Sequence, residues 1–176
     1  NKTSILNSPK ENWKVTLIDT GEDTITGGRL KRIKKYLDDE DFCFTYGDGV
    51  GDINISKLIK FHKSQKKLAT VTAVRPTSRF GELNIENNIV KKFREKPVSK
   101  NTYINGGFFV LSPKVIDYIK NDMTVWEKEP LETLSMKNEL TAFKHNKFWH
   151  PMDTLRDKRY LDKLWQNNKA PWKMWK

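Results

Sequence analysis

The stretch "FCFTYGDGVGD", residues 42–52, decides how the chain is read. An apolar run from Phe42 to Tyr46 ends abruptly in Gly47-Asp48-Gly49. A continuous apolar run of this length reads as a strand buried on both faces, as in a parallel sheet. Asp48 then lies just past the carboxyl end of that strand, where open α/β sheets bind their ligands. The flanking glycines let the backbone turn sharply and leave room for a ligand. A hard oxygen donor suits Mg²⁺, which takes one or two protein carboxylates and fills its shell with water and phosphate oxygens. Gly-Asp-Gly on its own fits an Asx-type turn equally well. Cys43, inside the apolar run, reads as a small core residue rather than a nucleophile. As the single cysteine it excludes an internal disulfide framework and suits a reducing cytosol.

Working outward, Ile55, Leu58, Ile59 and His62 recur at helical spacing, and "LATVTAV" (68–74) follows as a strand. Strand, helix and strand form a βαβ unit, with His62 at the helix surface or core edge rather than a ligand. Upstream, Val15–Ile18 reads as a short strand and 19–28 as a turn-rich loop. A helix from Arg29 follows, with Leu30, Ile33 and Leu37 on one face, and "DDED" (38–41) ends it. Downstream, "LNIENNIVKKF" (83–93) reads as a hairpin turning at Glu86-Asn87-Asn88, and "GGFFVL" (106–111) as another buried strand. Ser112 and Pro113 are the N-cap and first residue of a helix whose apolar face is Val115, Ile116 and Ile119. Pro130-Leu131 opens another short helix and "LTAF" (140–143) is a strand. A final helix carries Leu155, Leu161, Leu164 and Trp165. The alternation predicts one α/β domain over residues 1–176.

The chain has 176 residues, with nine Phe, six Trp and five Tyr to fill a core. No apolar run reaches the length of a membrane span. The net charge of +11 points to anionic partners. Lysines scattered along helices form a solvated face. Nucleic-acid binding would instead gather Lys and Arg on one side, so neither nucleic acid nor membrane is expected as a partner.

Four further motifs carry candidate chemistry. Asp153, in "HPMDTLRD", stands between a strand end and a helix start, as an N-cap or as a second metal ligand. In "FREKP" (93–97), Lys96 suits a phosphate and Glu95 sugar hydroxyls, or the two form a surface salt pair. In "TGGRL" (26–30), Gly28 lets the backbone approach a base or phosphate and Arg29 offers a planar fork of donors. In "NGGFFVL" (105–111), Asn105 can hydrogen-bond a sugar hydroxyl, or the glycines mark a β-bulge.

Taken together, "VTLIDTG", "TGGRLKRI", "FTYGDGV", "FGELNI", "EKP", "INGGFFVL", "WEKEPLETL" and "FWHPMDTLRDK" resemble glucose-1-phosphate cytidylyltransferase, across almost the whole chain. "TYGDGV" with "PMDTLRD" is the specific part; "EKP" is shared across the wider sugar-nucleotidyltransferase superfamily. The resemblance implies a Rossmann-like nucleotidyltransferase fold with a mixed, largely parallel sheet and an inserted β-hairpin. It implies a Mg²⁺-dependent reaction of CTP with α-D-glucose 1-phosphate, giving CDP-glucose and pyrophosphate for deoxysugar and surface-polysaccharide synthesis in the cytoplasm. Asp48 and Asp153 would hold the metal. Glu95, Lys96, Gly81 and Asn105 would line the sugar-phosphate pocket. Thr20, Gly28, Arg29 and Gly47 would lie near the nucleotide. No residue would act as a covalent nucleophile, and the enzyme would assemble as a homo-oligomer. The family's Gly-Gly-x-Gly-Thr-Arg-type loop does not occur in these 176 residues. The resemblance therefore implies the carboxyl-terminal portion of the domain, its N-terminal part missing, and no turnover of CTP by this chain alone. Two rival readings are a non-catalytic sugar-phosphate or nucleotide-binding module and a thymidylyl or uridylyl relative.

Overall fold

The central strand, β6 (Ile104–Leu111), alternates its large side chains between two apolar layers. Phe109 and Leu111 enter the larger layer, with Leu30, Val115, Ile116, Ile119, Trp126 and Leu134. Val110 and Phe108 face the smaller one, with Ile53, Leu58 and Ile59. A strand covered on both faces must be apolar at nearly every position, and "GGFFVL" is. The computed structural model describes residues 13–76, 82–95 and 102–174.

The main sheet has the order β1-β6-β3-β7, where β1 is Phe42–Thr45, β3 is Ala69–Val74 and β7 is Leu140–His145. β6 runs antiparallel to both β1 and β3, and β7 runs parallel to β3. Three of the four strands therefore point one way, which agrees with a mixed, largely parallel sheet. Helix α2 (Ile55–Gln65) lies between β1 and β3 in sequence, capped by Asn54, whose side chain accepts from the Lys57 amide at 2.9 Å. Helices α1 (Thr26–Arg32) and α3 (Glu129–Met136) and the 3₁₀ turn Pro113–Tyr118 carry the larger layer. Ser112 caps that turn through the Lys114 amide, as expected. A short ribbon pairs β2 (Gly49–Gly51) with β8 (Trp149–Pro151).

β4 (Glu82–Glu86) and β5 (Ile89–Arg94) pair only with each other among the described strands. Asn87 and Asn88, at φ 48° and 64°, form the turn that the sequence placed there. Helix α4 (Leu155–Gln166) completes the chain.

Several expectations are corrected. Residues 15–18 form no strand, because no described strand pairs with them; Val15 and Leu17 are exposed. β1 is an edge strand among those described, with alternate residues exposed, so it is not buried on both faces. Cys43 is one of its exposed positions and not a core residue. β1 and β3 are not neighbours: β6 inserts between them, so the βαβ unit spans a reversed strand. The first helix begins at Thr26, taking both glycines inside it, and Lys34–Tyr36 continues it as a 3₁₀ turn. Leu155 is exposed because it opens α4 beyond the sheet, leaving Leu161 as that helix's buried contact.

Candidate functional site

The site is built by the ribbon. Its register sets Gly49 opposite Pro151 and Gly51 opposite Trp149. The Met152 amide then donates to the Asp48 carbonyl at 2.7 Å, extending the pairing by one step. Asp48 and Asp153 thus stand at the same end of the ribbon, although they are far apart in sequence, and both side chains are solvent-exposed. Capping of α4 falls to Thr154, not to Asp153. The Thr154 Oγ1 accepts from the Asp157 amide at 3.2 Å, and Asp157 Oδ2 accepts from the Thr154 amide at 3.0 Å. The N-cap alternative for Asp153 is removed by that capping box.

Gly47 borders open space, and its backbone is outside the left-handed region. Neither a neighbouring atom nor backbone strain demands a glycine there. Its effect is to leave bare backbone beside Asp48. Two exposed carboxylates with room between strand end and helix start form a donor set that fits a hard, oxygen-seeking cation. No group of three or more His, Cys, Asp or Glu side chains that could hold a metal exists among the described residues. That leaves the remaining positions of a metal's shell to water and ligand oxygens.

Against this turn packs the start of β6. The register between β3 and β6 shifts between Val71 and Ala73, and Gly107 adopts φ 77°, so the glycine pair is a bulge. A side chain on Gly107 would meet the Tyr46 ring at 2.7 Å. The bulge frees the Gly106 carbonyl to accept from Trp149 Nε1 at 2.9 Å, which ties β6 to the ribbon. Asn105 turns back to accept from the Gly107 amide at 2.8 Å and donates through Nδ2 to the Tyr46 hydroxyl at 3.1 Å. On the ribbon's other side, His145 Nε2 lies 2.9 Å from Asp52 Oδ1 and 3.1 Å from the Phe148 carbonyl, clasping β2 to the end of β7.

Tyr46 also meets Glu127. Burial, and then the hydrogen bond to Glu127, push its hydroxyl well above the ordinary tyrosine range, with Asp48 adding to the rise. It is therefore a fixed neutral phenol. Glu127 Oε2 accepts from Thr26 Oγ1 at 2.8 Å, and Thr26 Oγ1 accepts from the Trp126 amide at 2.9 Å. Hydrogen bonds thus join Asn105 to Tyr46, and Glu127 to the start of α1, with the Tyr46 hydroxyl and the Glu127 carboxylate as electrostatic neighbours between them. Sequence reasoning missed Tyr46, Glu127 and Thr26 as site residues. All three fall inside motifs already singled out, which was their only signal.

The candidate nucleotide residues form a neighbouring cluster. Arg29 donates to Thr20 Oγ1 at 2.6 Å and to the Glu22 carbonyl at 3.1 Å. Arg32 donates to the Thr20 carbonyl at 3.0 Å and forks onto Asp122 at 2.9 and 2.6 Å. Gly28 is buried against the backbone of Asp122, whose Cα would lie 2.5 Å from any added Cβ. Close helix-to-loop packing accounts for that glycine in this structure. Glu95 directly follows β5, on the hairpin that pairs with no other described strand. Gly81 and Lys96 lie outside the described residues.

Comparison with known proteins fits this geometry. Residues 7–161 match the family model for nucleotidyl transferases. The chain belongs to the nucleotidyl transferase family. It is 56% identical over 176 residues to the glucose-1-phosphate cytidylyltransferase of Salmonella typhi, covering 99% of this chain and 68% of that protein. It is 44% identical over 166 residues to a probable glucose-1-phosphate cytidylyltransferase of Bacillus subtilis, covering 94% of this chain and 65% of that protein. Among solved structures, HddC from Yersinia pseudotuberculosis superposes with a TM-score of 0.63 at 23% identity, over 88% of this chain and 68% of that one. That last likeness concerns the fold alone. A nucleotidyl transferase with this sheet thus places Asp48, Asn105 and Asp153 at one end of it, the end where ligands of such sheets bind.

Proposed function

We propose that the protein transfers the cytidylyl group of CTP to α-D-glucose 1-phosphate, forming CDP-glucose and pyrophosphate with Mg²⁺. The β2–β8 pairing supports this reading, because it sets Asp48 and Asp153 at the same end of the ribbon, on the side of Tyr46 and Asn105. The identity to the Salmonella enzyme supports the choice of substrates. A phosphate oxygen of the sugar phosphate attacks the α-phosphorus of CTP, and the bond to pyrophosphate breaks in line. No covalent nucleophile is needed, so the protein's work is alignment and charge compensation.

Asp48 and Asp153 would hold the Mg²⁺, which when bound neutralises phosphate charge and aligns the reacting groups. Asn105, oriented by Tyr46 and by the Gly107 amide, offers its amide group to sugar hydroxyls. Glu95, Lys96 and Gly81 belong to the sugar-phosphate side of the same reading. Thr20, Gly28, Arg29 and Gly47 belong to its nucleotide side. Synthesis of activated sugars for surface polysaccharide in the cytosol, by a homo-oligomer, completes it.

The test is CDP-glucose formation by the protein as its gene encodes it, with CTP, UTP and dTTP in parallel. CTP should be preferred. Asp48→Ala and Asp153→Ala should each lower the rate by about a hundredfold or more and weaken Mn²⁺ binding, read directly by electron paramagnetic resonance. Wild-type rates and Mn²⁺ affinity in either variant would remove the metal assignment. A preference for UTP or dTTP would overturn the nucleotide assignment and leave the fold intact.

A further inference from the structure

The opposite end of the sheet holds an open cavity of about 350 Å³, lined by Asp41, His62, Lys63, Lys66, Lys67 and Lys114, among others. Asp41 immediately precedes β1, whereas Asp48 follows it, so the cavity and the candidate metal carboxylates are separated by at least the length of that four-residue strand, roughly 13 Å. The volume is at the small end of ligand sites, about 300 Å³ and upward.

Four lysines converge there from different elements. Lys63 is on the last turn of α2, Lys66 and Lys67 follow that helix, and Lys114 comes from the turn after β6. The carbonyl end of α2 favours nearby cations and accounts for one or two of them. It does not account for Lys114, which arrives from another layer. Lys66 is the helix cap at φ 53°, ψ 41°, a conformation usually left to glycine or asparagine. Lys67 pairs with Glu139 at 3.6 Å. Lys63, Lys66 and Lys114 have no ion-pair partner among the described residues.

The cavity also has a fixed polar wall. His62 is 2% exposed. Its Nδ1 lies 2.8 Å from Thr70 Oγ1, itself 2.8 Å from Thr141 Oγ1, and its Nε2 lies 3.5 Å from Asp41 Oδ2. Among the lining residues the four lysines face one carboxylate, Asp41, and Lys67 is paired with Glu139, so the lining is net positive. Both imidazole nitrogens face protein partners, so the donors left to a ligand are the lysine ammonium groups, which carry no acceptor. Compact, multiply charged oxyanions satisfy that chemistry, and phosphate-bearing small molecules are the common ones.

We propose that this cavity binds a small phosphate-bearing anion, at a site distinct from the Asp48 end of the sheet and independent of the transferase reading. The probe is inorganic pyrophosphate with EDTA present, which removes metal-dependent binding at Asp48 and Asp153. Saturable one-to-one binding is expected by calorimetry, with amide shift changes centred on Lys63, Lys66, Lys67 and Lys114. Lys66→Gln combined with Lys114→Gln should weaken binding by about tenfold or more. Both side chains are exposed, so the thermal midpoint should not move. Asp48→Ala combined with Asp153→Ala should bind pyrophosphate as the wild type does. Non-saturating shifts spread over surface lysines, shifts centred on Gly47 and Asp48, or undiminished binding by the double glutamine variant would each overturn the proposal.

Discussion

Tyr46 shows how one side chain comes to organise a site. Its hydroxyl accepts from Asn105, 59 positions away, and burial, with the Glu127 carboxylate nearby, raises it above the ordinary tyrosine range. Tyr46→Phe removes the partner of Asn105 Nδ2. Stability should fall by about 1 kcal/mol in urea unfolding, and the KM for the sugar phosphate should rise more than kcat falls. Gly107 is the companion case. Its φ of 77° and the Tyr46 ring, 2.7 Å from where a Cβ would stand, oppose any side chain. Gly107→Ala should cost about 1–3 kcal/mol, read from the urea midpoint. Asp48 and Asp153 were legible in the sequence only as candidates, an Asx-type turn and an N-cap being the alternatives, and the family resemblance paired them. Tyr46 and Glu127 were not. A tyrosine closing an apolar strand and a glutamate in a charged loop look ordinary until the sheet brings them together.

At the scale of elements, the hairpin and α4 behave differently for reasons of pairing and capping. β4 and β5 have only each other among the described strands, and Leu83, Ile85, Val90 and Phe93 are exposed on them. Their amides should exchange with solvent well before those of β3 and β6 in hydrogen-exchange experiments. Protection equal to the central sheet would show that the hairpin is covered in solution. The alternating pattern and the Asn87-Asn88 turn made this hairpin readable, since both are local signals. Helix α4 depends on the Thr154 and Asp157 box. Thr154→Ala should cost about 1 kcal/mol, measured by thermal unfolding, and should shift the neighbouring Asp153 enough to weaken Mn²⁺ binding. The N-cap alternative for Asp153 fell one residue early, because Asp and Thr are both good caps and only the backbone path chooses between them.

For the whole molecule, acid is the informative perturbation. The Arg32 fork holds the Asp122 carboxyl below its ordinary value of 3.8, and hydrogen bonds from Thr154, then His150, do the same for Asp157. Lowered carboxylates contribute stability that is complete above the unfolded value and is lost as pH falls through the lower folded one. The urea midpoint should therefore decline below about pH 4, and Asp122→Asn should decline less over the same interval. The α/β class, the order of most elements and the hairpin were determined by the sequence itself. Apolar periodicity, turn residues and caps are local, and they were enough. Strand order was decided only by the tertiary structure, which put β6 between β1 and β3 and left β1 half-exposed with Cys43 at the surface. An apolar run does not reveal whether its neighbour is parallel, antiparallel or solvent. That Asp48 and Asp153 stand at one end of the ribbon also needed the fold, because ribbon pairing acts through backbone hydrogen bonds that carry no side-chain signature.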